Sequence, residues 1–89
     1  MFVMPEQLNA EVAEHQRRLS YWVEVRRESL GLNKTVFLRY TGLSKTGLSY
    51  ALSGEREPGL RTLLAIARAL DCEVADLFLP IPEDAPGEA

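Results

Sequence analysis

The stretch that constrains the fold most is segment 33–54, NKTVFLRYTGLSKTGLSYALSG. Its pattern predicts two short helices joined by a tight turn. Asn33 and Ser44 suit helix N-termini, since their side-chain oxygens can accept a hydrogen bond from an otherwise unpaired backbone N–H. Gly42 and Gly54 suit helix C-termini, where a positive φ favours glycine. The segment therefore predicts a helix, a turn at 41–43 and a second helix that ends at Gly54.

The second of these helices has two chemically different faces. Leu48, Ala51 and Leu52 recur at the spacing of an apolar helical stripe. The other face carries one lysine and three hydroxyl groups, at Lys45, Thr46, Ser49 and Tyr50. A helix-turn-helix places its second helix in the DNA major groove, where one face must pack on the core and the other must meet DNA.

Short motifs within and after this segment follow one another in a fixed order between residues 22 and 78. They are Gly31-Leu32-Asn33-Lys34, Thr41-Gly42-Leu43-Ser44, Leu48-Ser49, Leu52-Ser53-Gly54, Arg56, Pro58, Leu60-Arg61-Thr62-Leu63, Ile66-Ala67, Ala69-Leu70 and Asp76-Leu77-Phe78. Their order and spacing together resemble the phage-repressor and Cro type of helix-turn-helix domain, a family of bacterial and phage regulators. The resemblance implies an all-α protein with a compact, five-helix, lambda-repressor-like domain.

The resemblance also implies a DNA-binding surface. Its predicted residues are Lys34, Arg39, Ser44, Lys45, Thr46, Ser49, Tyr50 and Arg56. Those from 45 to 50 match the family's base-reading positions, where lysine can donate to guanine and a threonine methyl can pack on thymine. Lys34, Ser44 and Arg56 are expected on phosphates, and Arg39 is a weaker candidate on the same side. A polar helix face of this kind is also typical of ordinary solvated surface, so the family pattern carries the prediction.

The implied function is that of a sequence-specific DNA-binding transcriptional regulator, such as a repressor, which reads a palindromic operator as a homodimer. An antitoxin or another protein-interaction module with the same fold is the alternative, and it would need a protein partner. We expect no enzyme and no cofactor, since no catalytic triad, carboxylate pair or glycine-rich phosphate loop is present in the sequence. The single Cys72 and the single His15 speak against a disulfide and a metal cluster.

Two departures from the family pattern concern packing. Arg27 matches an arginine that many members pair with a glutamate at the end of the second helix, but Leu52 stands at the glutamate position. Arg27 therefore needs another partner, such as Glu24 or a backbone carbonyl, or points to solvent. Leu38 stands where alanine is usual and Ala51 where isoleucine is common, which suggests a compensating exchange of volume.

Residues 1–18 form an N-terminal helical extension relative to the family, before the DNA-binding domain at 19–79 and an acidic tail at 80–89 that we expect to be disordered. The sequence predicts one helix from Pro5 to about Ser29, with Leu8, Val12 and Leu19 on one apolar stripe. The extension either covers the domain's own core, contacts a second subunit or is disordered.

The net charge of −3 is unusual for a DNA-binding protein, but the charge is unevenly distributed. Residues 17–79 hold all ten basic residues and seven acidic ones, a net charge of +3, while both ends are acidic. This pattern is compatible with DNA binding of modest nonspecific affinity. No apolar run approaches the ~20 residues of a membrane helix, so we expect no membrane and a cytoplasmic location.

Overall fold

The computed structural model describes residues 4–84, and the predictions made for 1–3 and 85–89 lie outside this range. Four α-helices follow one another: α1 (Pro5–Ser29), α2 (Lys34–Thr41), α3 (Lys45–Ser53) and α4 (Leu60–Ala69). A 3₁₀ helix at Val74–Phe78 completes the described part, which contains no strand. The all-α prediction is confirmed, whereas the count of five α-helices is not. The last element is a 3₁₀ helix of only five residues. Pro80 follows its C-cap Leu79 and cannot continue a helix, and 3₁₀ helices are usually this short.

The turn chemistry predicted for α2 and α3 is confirmed. Asn33 Oδ1 accepts a 2.8 Å hydrogen bond from the Val36 N–H, and Ser44 Oγ accepts one of 3.0 Å from the Gly47 N–H. Gly42 and Gly54 have φ of +70° and +83° at the ends of the two helices. Both helices therefore begin and end through interactions that their own sequence supplies.

The core lies between the second half of α1 and the four elements that follow. Its buried apolar residues are Leu19, Val23, Phe37, Leu48, Ala51, Ile66, Ala67, Leu70 and Leu77. Partly buried side chains surround it, among them Trp22, Leu38 and Leu52. Burial of this apolar surface holds α3 in place with one face inward and leaves its polar face outside.

Helix α1 continues without a break past residue 18, so the extension and the first helix of the domain are one element. Its second half is attached to the end of the domain: Trp22 Nε1 donates a 2.8 Å hydrogen bond to the Leu79 carbonyl. Leu8 and Val12 in its first half are exposed. The apolar side of the extension is therefore only partly covered by the protein's own core.

Two details complete the C-terminal part. Asp71 has φ +53°, a left-handed conformation that aspartate tolerates better than most residues other than glycine. The predicted tail at 80–89 is described only as far as residue 84, where Ile81 is partly buried and residues 83 and 84 form a turn. The remaining five residues of that tail lie outside the described range.

Candidate nucleic-acid interface

A groove of about 650 Å³ between α1, α2 and α3 brings three of the predicted DNA-binding residues together. Lys34 from the first turn of α2 lies on its wall with Lys45 and Ser49 from α3. All three are exposed. Two ammonium groups from different helices therefore border one groove and give it a positive charge, which attracts a nucleic acid.

The N-terminal turn of α3 presents two further predicted residues, Ser44 and Thr46, both exposed. Ser44 Oγ accepts the Gly47 N–H, so its own hydroxyl proton is still available for donation. A Cβ at residue 47 would lie 3.0 Å from Ser44 Oγ. Gly47 thus leaves room for the Ser44 cap.

Tyr50 and Arg56 form a pair that the sequence alone did not indicate. The Arg56 guanidinium carbon lies 4.7 Å from the centre of the Tyr50 ring, within the range of a cation–π contact. Tyr50 is half-buried and Arg56 is exposed. The stack holds the loop that follows α3 against its C-terminal half, so the two side chains act as one unit.

The second arginine at this face has an internal role. Arg27 Nε donates to Glu24 Oε1 at 3.2 Å, Arg27 Nη2 donates to the other carboxylate oxygen, and Arg27 Nη1 donates to the Leu32 carbonyl at 2.6 Å. The two partners suggested by the sequence are therefore both used. The Arg27 hydrogen bonds lower the pKa of the Glu24 carboxyl, and the same pairing raises the pKa of Arg27.

This pairing affects the charge of the groove, since Glu24 and Arg27 both line it. The two charges of this ion pair cancel, so Lys34 and Lys45 give the groove its positive charge. Arg39 is exposed on α2, and no contact among the described residues joins it to this cluster. Of the eight predicted residues, three share the groove, two stack on each other, and Ser44, Thr46 and Arg39 are separate.

Two groove residues were missed in the sequence. Thr35 follows Lys34 in α2, and Ser53 is the last residue of α3. Their exposure next to a lysine-bordered groove makes them candidates for contacts with a nucleic-acid backbone. Small hydroxyl residues are common on any helix surface, so only their position in three dimensions distinguishes them.

Within residues 4–84, no group of three or more His, Cys, Asp or Glu side chains is arranged to hold a metal ion. No helix in that range is both long enough and apolar enough to cross a membrane, and α1 fails on its polarity. Burial raises the pKa of the Cys72 thiol, which keeps it protonated at neutral pH.

Comparison with known proteins agrees with this geometry. The helix-turn-helix family model matches residues 23–77, which include the C-terminal part of α1 and all of α2, α3 and α4. No curated protein and no solved structure matches the chain. The match begins five residues after the end of the extension, which is thus additional to the family's domain. The family is the helix-turn-helix family of DNA-binding regulatory domains, and this chain belongs to it.

Proposed function

We propose that this protein is a sequence-specific transcriptional regulator that inserts α3 into the DNA major groove and binds a palindromic operator as a homodimer. The observation that carries the proposal is the exposed polar face of α3, which Ser44 begins and the Lys34–Lys45 groove flanks. The proposed action is occupancy of an operator, without catalysis or a cofactor. It takes place where the chromosome is, in the cytoplasm of a bacterial cell.

Contacts in this proposal divide into two kinds. Lys34, Ser44 and Arg56 hold phosphates, while Lys45, Thr46 and Ser49 meet base edges. Tyr50 contributes mainly by keeping Arg56 on the backbone side, because the two side chains stack. Arg39 has no such support and is proposed only as a distant phosphate contact.

Dimerisation is part of the proposal for a physical reason. One recognition helix reads only a few base pairs, and two of them one helical turn apart, ~34 Å, read a two-fold symmetric site with a much higher affinity. The net charge of +3 over residues 17–79 gives little general attraction to DNA. A single domain with so few charges depends on the second half-site for useful affinity.

Selection of bound DNA from a random pool tests the proposal directly. We expect enrichment of an inverted repeat whose half-sites lie about one helical turn apart, ~10 base pairs between centres. Enrichment of a single unrepeated motif would contradict the homodimer but would still support sequence-specific DNA binding. If no sequence were enriched even at low salt, α3 would not be a sequence-specific recognition helix.

A protein-interaction module, for example an antitoxin, is the second candidate, and the exposed apolar residues of the extension favour it. Leu8 and Val12 are exposed on the surface of α1. Stoichiometric co-purification with the product of a neighbouring gene would support this role. High-affinity operator binding by the protein alone would support the first, and an autoregulating antitoxin would give both results.

A further inference from the structure

The first half of α1 carries an apolar stripe that the described residues leave open. Met4, Leu8 and Val12 lie one turn apart on one side of the helix, and Leu8 is 54 % exposed. Leu8 and Val12 themselves line a groove of about 330 Å³, together with Glu57, Pro58 and Leu63. Large apolar side chains around an open groove are typical of an interaction surface.

The exposed face of α4 continues this apolar surface. Leu60 is 70 % exposed and Leu64 is also exposed, one helical turn further on. Leu63, which lines the groove, is their neighbour on the same helix. The stripe, the groove and the α4 leucines thus form one apolar region from the extension to the outer side of α4.

Charge identifies the partner. The extension carries Glu6 and Glu11, and no lysine or arginine occurs between residues 4 and 16. The exposed face of α4 carries Arg61 and Arg68 beside its leucines. A nucleic acid or an anionic membrane would be repelled by the acidic half, whereas a second copy of this protein offers an acidic strip for each basic one.

We infer that the extension is a dimerisation arm, whose stripe of Met4, Leu8 and Val12 packs against the groove and α4 face of a second copy. A two-fold axis uses the same surface on both protomers, so each acidic arm meets a basic α4 and the charge pairing occurs twice. Within residues 4–84 neither Glu11 nor Arg61 has an ion-pair partner in the same protomer. The inference rests on the proposed homodimer and assigns its interface.

Sedimentation velocity of the full chain without DNA tests the arm. The wild type should sediment as a dimer at tens of micromolar, and the Leu8→Glu/Val12→Glu variant should sediment as a monomer, with a dimer Kd raised ~100-fold. Both changed residues are exposed, so the helical circular dichroism should persist. The single variant Leu8→Glu should also weaken the dimer, and Ala10→Glu is its matched control, because it adds the same charge to the opposite side of α1 and should remain dimeric.

A charge exchange tests whether the partner is a second copy. Glu11→Arg and Arg61→Glu should each weaken the dimer, and the double variant should recover most of the loss because the pair is restored with its signs reversed. Failure of the double variant to recover, or a dimer unaffected by the Leu8→Glu/Val12→Glu change, would overturn the inference. A monomeric wild type would overturn it as well.

DNA binding is read out separately with a single half-site duplex. The monomeric variant should bind one half-site as the wild-type protomer does, since the arm is acidic and α3 is unchanged. Absence of any preference of the wild type for the half-site duplex over random DNA, at concentrations high enough to detect single-domain binding, would contradict the proposed function and leave the sedimentation result intact. The two ideas thus fail in different experiments.

Discussion

Gln16 Nε2 donates a 2.7 Å hydrogen bond to the backbone carbonyl of Ala51, and this bond connects the extension to the last turn of α3. Carbonyl groups in the last turn of a helix have no partner within that helix. A side chain from α1 therefore supplies what α3 lacks. The end of the proposed recognition helix is held by the same helix that carries the proposed dimerisation arm.

Gly54 makes this bond possible, since a Cβ at residue 54 would lie 3.0 Å from Gln16 Cγ. We expect Gly54→Ala to destabilise the protein by ~1 kcal/mol for its positive φ and by about as much again for displacing Gln16. Gly31→Ala is the matched control, because Gly31 also has a positive φ but no atom near its added Cβ. Urea unfolding followed by circular dichroism measures both.

The difference between the two glycine variants should disappear in a Gln16→Ala background, where no Cγ remains to be displaced. Equal destabilisation by Gly54→Ala and Gly31→Ala in the wild-type background would contradict the steric account. The φ cost would then be the whole effect.

Ala51 itself is only 2 % exposed, and it tests the packing of α3. Ala51→Ile should overpack the core and reduce the free energy of unfolding by ~1–3 kcal/mol. The same change at exposed Ala10 should stay within ~0.5 kcal/mol of the wild type. A melting temperature that is unchanged or higher for Ala51→Ile would mean that the space beside Leu38 is not filled, and the proposed exchange of volume would be wrong.

DNA-binding variants should separate into two classes. Lys34→Ala and Arg56→Ala should weaken binding to operator and random DNA alike, and each should reduce the salt slope by about one unit. Lys45→Ala should weaken operator binding by ~1–3 kcal/mol with little effect on random DNA. Fluorescence anisotropy at several salt concentrations measures both quantities.

Tyr50 has its own controls in the same assay. Tyr50→Ala removes the ring under Arg56 and should resemble Arg56→Ala, whereas Tyr50→Phe keeps the ring and should bind nearly as the wild type does. Tyr40→Ala, at an exposed tyrosine outside the predicted interface, should leave binding unchanged. A strong operator-specific loss in Tyr50→Phe would show that the hydroxyl reads a base, against the role proposed for the stack.

The Glu24–Arg27 pair predicts an effect of pH on stability. The hydrogen bonds from Arg27 lower the pKa of Glu24. The pair therefore contributes fully to stability above the ordinary pKa of 4.5, and this contribution is lost as the pH falls through the lowered pKa. Glu24→Gln should therefore be less stable than the wild type at pH 7 and should approach it at acid pH. The size of the gap is small, because the Glu24 side chain is about half exposed.

Thermal unfolding between neutral and acid pH measures this gap. Glu28→Gln, on the same helix and outside the Arg27 hydrogen bonds, is the control and should follow the wild-type curve closely. A stability difference between wild type and Glu24→Gln that stays constant down to strongly acid pH would count against an ionic contribution.

Local chemistry explains which features the sequence could predict. The caps of α2 and α3 involve backbone groups only a few residues away, so a short segment of sequence is enough to predict them. These caps are Asn33, Gly42, Ser44 and Gly54. The partners of Arg27 were predictable for the same reason, because both lie within five residues of it. The family pattern then arranged these local elements into a helix-turn-helix.

Contacts between distant residues could not be predicted in this way. Gln16 and Ala51 are 35 residues apart, and nothing in either neighbourhood indicates the other. The stack of Arg56 on Tyr50 depends on the path of a loop, and the exposure of Leu8 depends on what the other helices fail to reach. Amphipathic periodicity indicates an apolar side but not the surface that covers it.

In the proposed dimer, the unbroken course of α1 determines the spacing of the operator half-sites. A helix of 25 residues is ~37 Å long and turns ~100° with each residue, so it fixes both the distance and the phase between the arm and α3. One residue inserted after Val12 would rotate the arm away from its partner surface. Seven inserted residues would restore the phase nearly and move the arm by ~10 Å, which corresponds to ~3 base pairs of half-site spacing.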